Sequence, residues 1–253
     1  MPSSKPAAKT REVALHYFPE AAAGGFTRLD GAIEFYTRVN ALIQPDHTVV
    51  DLGAGRGQFL EDTVTYRRDL RRLRGKVAKV IGLDVDEAVR RNAALDEAHV
   101  IDPADPYPLP DASADLVVSV STFEHIATPA QTSAELARVV KPGGWVCAMT
   151  PNKWGYIGLG ARAVPNALHV GFLKKLQPHR QAQDVFPTTY LMNTRRDLER
   201  WFPADQWELA AYTINTEPAY FGASKLAWGA ALTLLNRAPR PLGATWLIFA
   251  RRK

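Results

Sequence analysis

The chain has 253 residues, 46% of them hydrophobic and 23% charged, which is enough to bury one large core without a second domain. A formal net charge of +5 is modest, and the single cysteine, Cys147, sits in an apolar run. That excludes a disulfide-stapled scaffold and points to a reducing compartment, with the thiol buried and inert. The opening MPSSKPAAKTRE has no apolar signal core, and no apolar run approaches the ~20 residues that span a bilayer, so the expected location is cytoplasmic.

In chain order, residues 1 to 12 read as a disordered tail and residues 13 to 253 as one domain, which opens with an N-terminal cap over 13 to 44. Asp30 can cap a helix through about Ile43, with Ile33, Tyr36, Val39 and Ile43 on one face. This helix is expected to cover a ligand site. The next stretch, TVVDL (48 to 52), reads as a buried parallel strand that runs straight into Gly53, Gly55 and Gly57.

Glycines there permit backbone angles and a close ligand approach that a Cβ would block. A dinucleotide-binding fingerprint, G-x-G-x-x-G, needs a third glycine where this chain has Gln58. The spacing here is G-x-G-x-G, preceded by Asp51, which suits a cofactor with an amino-acid end and no phosphate. Asp51 can hold the loop and face an ammonium group.

A second apolar run, KVIGLDVDEAV (79 to 89), places Asp84 and Val85 at the end of the next strand. The Asp84 carboxylate can accept from both ribose hydroxyls, each charge-assisted bond contributing about 1.5 to 3 kcal/mol. NAD would want the same acid. Asp51 and Asp84 therefore indicate an adenosine cofactor, and only the loop spacing favours S-adenosylmethionine over NAD.

Between these strands the basic run YRRDLRRLRGK (66 to 76) fits either a phosphate-binding stripe or a solvated amphipathic helix with Leu70 and Leu73 facing the sheet. Further strands are predicted near 98 to 101, 115 to 121, 145 to 150, 207 to 215 and 245 to 253, alternating with helices or loops. That order specifies a Rossmann-like, doubly wound, seven-stranded α/β sheet. Residues 152 to 205 and 216 to 244 are insertions on the substrate side. The second holds KLAWGAALTLLN, which reads as an ordinary packed helix, a subunit contact, an acyl-binding wall or a membrane-surface helix.

HVIDPADPYPLPDASADLVVSVSTFEHI, followed by ELARVVKPGGWVCAMTPN, resembles the class I S-adenosylmethionine-dependent methyltransferases, most closely their small-molecule, ubiquinone-biosynthesis-like branch. GGFTRLDGAIEFYTRVN and TPNKWGY are also similar to methyltransferases of bacterial polysaccharide gene clusters. The resemblance implies S-adenosylmethionine as cofactor, S-adenosylhomocysteine as product, and Asp102 beside the adenine amino group. Ala114 departs from it, standing where an aromatic residue is common. The expected cofactor contacts are Asp51, Gly53, Ala54, Gly55, Gly57, Asp84, Val85, Asp102 and Ser121.

For an oxygen acceptor the candidate base is His125, in STFEHI, which alternatively orients backbone or caps the next helix; its neighbour Glu124 is a contact residue or polarises the acceptor. His16, His47, His99, His169 and His179 lack metal-ligand spacing, and no catalytic metal is expected. Trp154, Tyr156, Tyr190 and Asn193 are the expected substrate contacts. The expected acceptor is a hydroxyl of a sugar, glycolipid or related metabolite. An RNA methyltransferase is the weaker enzyme reading, because enzymes acting on base amines commonly carry an Asn or Asp-Pro-Pro-aromatic motif where this chain has STFEH. A non-catalytic S-adenosylmethionine-binding protein is the alternative from another class.

Overall fold

The computed structural model describes residues 5–156, 158–159, 187–218 and 223–253. His169, His179 and the middle of the 152 to 205 insertion lie outside the described residues. Seven strands form one sheet: β1 Thr48–Leu52, β2 Lys79–Asp84, β3 Glu97–Val100, β4 Ala114–Val120, β5 Val140–Pro151, β6 Trp207–Ile214 and β7 Thr245–Arg252. Their spatial order is β3-β2-β1-β4-β5-β7-β6. Neighbours from β3 to β5 pair in parallel, and β7 runs antiparallel to both β5 and β6.

Both faces of the sheet are covered, which is why TVVDL is apolar at consecutive positions. Val50, Leu52, Leu83 and Val117 enter the core on one face, while Val49, Val80, Leu116 and Cys147 enter it on the other. Burial pushes the Cys147 thiol well above its ordinary range, leaving it inert.

Helix α1, Lys5–Tyr17, occupies much of the stretch expected to be a tail. Its order comes from distant partners: Val13 and Phe18 pack with Trp228, a residue far along the chain. Helix α2, Gly31–Leu42, starts as expected, with Asp30 Oδ1 accepting from the backbone N–H of Ala32 (3.0 Å) and Ile33 (3.1 Å). Its buried face differs by a turn of the wheel. Phe35, Tyr36 and Val39 are buried, whereas Ile33 and Ile43 are only partly so. Phe35 takes the inward position because its ring meets Phe249 of β7, centroids 5.8 Å apart, burying more apolar area than Ile33 would.

Helix α3, Thr65–Arg71, stops short of residue 76, the end of the basic run. Leu73 is still buried and Leu70 packs on the same cluster, so the apolar half of that expectation holds. The basic half does not hold throughout, as described below. Helices α4 (Pro129–Val139) and α5 (Arg195–Trp201) follow, and α6 (Lys225–Arg237) contains KLAWGAALTLLN. Trp228, Ala231 and Leu235 of α6 are buried, while Leu226 and Leu234 are exposed. Among the described residues no helix is long and apolar enough to cross a membrane.

Candidate active site

The chain leaves β1 for one side of the sheet and returns through β4 on the other, so the carboxyl ends of these adjacent strands diverge into a crevice. The glycine loop forms its floor. Gly53, at φ 79°, donates its N–H to the Leu83 carbonyl at 2.7 Å, and a Cβ there would lie 2.0 Å from Thr122 Oγ1. Gly55, at φ 51°, has nothing within 4 Å of where a Cβ would sit. The first glycine is required by packing, and the second leaves open space for a ligand.

Asp84 closes one side. Its Oδ2 accepts from Gly55 N–H at 2.7 Å and its Oδ1 from Asp86 N–H at 2.9 Å. Asn92, which no sequence signal singled out, donates its Nδ2 to the carbonyls of Ala54 (3.0 Å) and Gly55 (3.2 Å). A capping-type asparagine far downstream of a glycine loop carries no motif, so only the fold reveals it. The crevice is about 650 Å³, and Gly53, Ala54, Gly55, Asp84, Val85, Ser121 and His125 line it.

Asp51 lies partly buried on β1 and outside that lining. Burial pushes its carboxyl up to about 7, opposed by the Arg71 guanidinium and reinforced by the negative charge of Asp84. Asp102 is exposed, with Oδ1 accepting from Ala104 N–H at 2.9 Å; its chain neighbours Ile101 and Pro103 line the crevice. Gly57, at φ 74°, backs against Asn92.

A second cavity of about 370 Å³ adjoins, lined by Asp30 to Ala32 at the start of α2, Met149 to Pro151 at the end of β5, Thr216, Glu217 and Thr245. Ser121 and Arg71 line both spaces. Two arginines of the basic run are thus turned inward. Arg67 donates to Asp30 Oδ2 at 2.6 Å and to both oxygens of Asp62, so it is a part-buried bridge and not a free surface charge. Glu217 Oε1 accepts the Thr27 hydroxyl at 2.6 Å. Burial raises its carboxyl above the usual range, the Thr27 bond lowers it, and the nearby charge of Asp30 raises it further.

Residues 50–148 match the family model described as "Methyltransferase domain". A probable S-adenosylmethionine-dependent methyltransferase of Mycolicibacterium smegmatis is 36% identical over 110 residues, covering 42% of this chain and 38% of that protein. The chain therefore spans less than two fifths of the length of the curated relatives it matches. Geranyl diphosphate methyltransferase in complex with S-adenosylmethionine has a TM-score of 0.54 at 14% identity, covering 100% of this chain and 93% of that one. A chain of the Haloferax volcanii complex containing the Trm112 methyltransferase activator has a TM-score of 0.53 at 21% identity, covering 97% and 94%. These structures share the fold.

The crevice fits S-adenosylmethionine on its own features: open space at Gly55, two hydrogen-bonded but incompletely saturated oxygens on Asp84, and a volume of about 650 Å³. Among the described residues no group of three or more His, Cys, Asp or Glu side chains is arranged to hold a metal. His125 reaches the crevice from the loop after β4, with Nδ1 2.9 Å from the Pro187 carbonyl and Nε2 3.8 Å from Glu124 Oε1. A carbonyl only accepts, so Nδ1 carries the hydrogen of that contact.

Behind His125, Glu124 Oε2 accepts the Thr150 hydroxyl at 2.9 Å, and Asn193 Nδ2 donates to Thr150 Oγ1 at 2.6 Å and to the Pro151 carbonyl at 2.9 Å. Of the expected substrate contacts, none lines either cavity. Trp154 is half exposed, Tyr156 partly buried, and Tyr190 and Asn193 fully enclosed.

Proposed function

We propose that this chain transfers a methyl group from S-adenosylmethionine to a small-molecule acceptor, a hydroxyl of a sugar, glycolipid or related metabolite. The observation that carries this reading is the junction of the two cavities at Ser121 and Arg71: a crevice suited to the cofactor opens into a polar space suited to an acceptor. S-adenosylmethionine supplies a methyl group on a sulfonium, whose carbon–sulfur bond breaks as the acceptor oxygen bonds to that carbon. The chain holds the two reactants in line at about 3 to 3.5 Å and takes up the hydroxyl proton.

Asp84 and the Gly53 to Gly57 loop hold the nucleoside in this reading, with Ala54 and Val85 as walls, Asp102 toward the adenine and Ser121 beside the reacting methyl. Two groups are candidates for the proton. His125 offers Nε2 from the crevice, and Glu217 offers a carboxylate oxygen from the adjoining cavity. Trp154 and Tyr156 form the acceptor's outer rim, with Tyr190 behind it, and Asn193 acts indirectly by holding Thr150 on the cavity wall.

An RNA acceptor rests on the 66 to 76 run, three of whose six basic residues are in ion pairs: Arg67 with Asp30 and Asp62, Arg68 with Asp69, and Arg74 with Asp96. That weakens a phosphate stripe. A fractionated extract incubated with the protein and methyl-labelled S-adenosylmethionine separates the readings. Label entering glycan or glycolipid supports the proposal. Label entering RNA alone replaces it with the RNA reading, and binding without transfer to any fraction leaves a non-catalytic binder.

A further inference from the structure

We infer that Thr27, in the turn ahead of α2, is a positioning residue for methyl transfer: its hydroxyl grips one oxygen of Glu217 and so holds the other for the acceptor hydroxyl. The inference rests on the methyl-transfer reading and deepens it, because it draws the N-terminal segment into the acceptor site.

Three acids line the adjoining cavity, Asp30, Asp62 and Glu217. Two of them are occupied at both oxygens. Asp30 Oδ1 accepts from the backbone N–H of Ala32 and Ile33 and its Oδ2 from Arg67, while Asp62 accepts from Val64 N–H at Oδ1 and from Arg67 at both oxygens. Glu217 differs. Among the described residues its Oε1 takes one hydrogen bond, from the Thr27 hydroxyl at 2.6 Å, and its Oε2 takes none.

The Thr27 hydroxyl is itself held. Leu29 N–H donates to Thr27 Oγ1 at 3.2 Å and occupies a lone pair, and the hydroxyl hydrogen goes to the carboxylate. Thr27 is 5% exposed, and its carbonyl accepts from Asp30 N–H at 3.1 Å, which ties its turn to the cap of α2. Close packing joins the two segments. A Cβ on Gly31 would lie 2.7 Å from Thr216 Cγ2, so α2 begins directly against the residue that precedes Glu217.

An acceptor seated in this cavity meets Glu217 and not His125, which lines the crevice alone. As the acceptor oxygen bonds to the methyl carbon, the carbon–sulfur bond breaks, sulfur keeps its electron pair, and the hydroxyl proton passes to Glu217 Oε2. Burial raises this carboxyl above the usual range; the Thr27 bond lowers it, the Asp30 charge raises it and the Arg67 charge lowers it. Asp62 and Arg71 are the other charged groups of the same lining. Thr27 therefore acts twice, fixing the carboxylate in place and keeping it ionised at lower pH.

The test follows turnover against pH, with methyl-labelled S-adenosylmethionine and the glycan or glycolipid fraction that takes label from the wild type. Thr27→Val keeps the shape and removes the hydroxyl. It is expected to move the acid limb of the kcat profile to higher pH, to lower kcat about tenfold or more on that limb, and to leave S-adenosylhomocysteine affinity unchanged. Thr27→Ser is expected to restore limb and rate, and Glu217→Gln to remove the limb with most of the turnover. An unmoved limb in Thr27→Val, loss of S-adenosylhomocysteine affinity in the same variant, or full turnover in Glu217→Gln overturns the inference and leaves the methyl-transfer reading intact. Wild-type protein that labels no such fraction overturns that reading, and the inference with it.

Discussion

Asp84 and Gly55 are joined by a 2.7 Å hydrogen bond from the glycine N–H to the carboxylate Oδ2, so the acid assigned to the ribose also holds the loop beneath it. Substitution therefore acts on two properties that can be separated. Asp84→Ala is expected to weaken S-adenosylhomocysteine by tenfold or more, for a loss of about 1.5 to 3 kcal/mol, and to lower thermal stability. Asp84→Asn retains an oxygen for Gly55 and is expected to keep the stability while losing much of the affinity. Calorimetry paired with thermal melts reads both; full affinity in Asp84→Ala contradicts the site.

Gly53 and Gly55 are expected to respond differently to alanine. At Gly55 the added Cβ meets no protein atom, so only the left-handed backbone opposes it, at about 1 to 2 kcal/mol, while the ligand's space is lost. At Gly53 the same methyl collides with Thr122 Oγ1, and folding itself should suffer. Urea titration should therefore find Gly55→Ala destabilised by only about 1 to 2 kcal/mol but poor in cofactor binding, and Gly53→Ala more severely destabilised.

Asp51 carries a pH signature. Its carboxyl is raised from an unfolded value near 3.8 to about 7, so the folded state holds its proton more tightly than the unfolded chain. Stability from this group is present in full below about pH 4 and is lost as pH rises through about 7. Urea unfolding of the ligand-free protein should find wild type losing stability relative to Asp51→Asn across that window. Binding of S-adenosylhomocysteine by wild type should strengthen over the same rise, as the ionised carboxylate forms to face the ammonium group. A flat difference at both readouts removes the assignment.

His125 and Glu217 can be told apart once an acceptor fraction is in hand. Loss of the true base is expected to lower kcat by roughly 10² to 10⁴ with cofactor affinity nearly intact. If His125→Ala does this and Glu217→Gln does not, the proton leaves through the crevice; the opposite result sends it through the adjoining cavity. Combined loss of turnover and cofactor affinity in either variant marks a structural role for that residue.

Arg67 is expected to behave as a part-buried bridge. Arg67→Ala leaves Asp30 and Asp62 facing one another without their shared cation, which should cost about 3 to 5 kcal/mol. Arg68→Ala removes an exposed contact to Asp69 and should cost under about 1 kcal/mol. Similar melting temperatures for the two variants would contradict the distinction between inward and solvated members of the run.

Much of this architecture is legible in one dimension because local rules set it. Consecutive buried apolar residues marked β1 and β2, the Asp30 cap marked the start of α2, and the glycine spacing marked the loop that floors the crevice. Each of these signals depends on residues a few positions apart, where backbone geometry and hydrogen bonding impose a strict pattern.

The remainder required distant partners to meet. Helix α1 is ordered by Trp228, Phe35 displaces Ile33 from the inner face through contact with Phe249, and Asn92 crosses to the glycine loop from beyond β2. The basic run shows the limit most plainly. Periodicity predicts that Leu70 and Leu73 face the core, but an arginine's long side chain can reach solvent or curl inward from the same helical position. The charges on Asp30, Asp62 and Asp51 draw Arg67 and Arg71 inward, and of these acids Asp30 and Asp51 stand beside the run only after the sheet has assembled. Local pattern determined the strands and the glycine loop; the pairing of buried charges, and with it the shape of the adjoining cavity, was decided by tertiary packing, because electrostatic energy depends on distances through space that sequence separation does not encode.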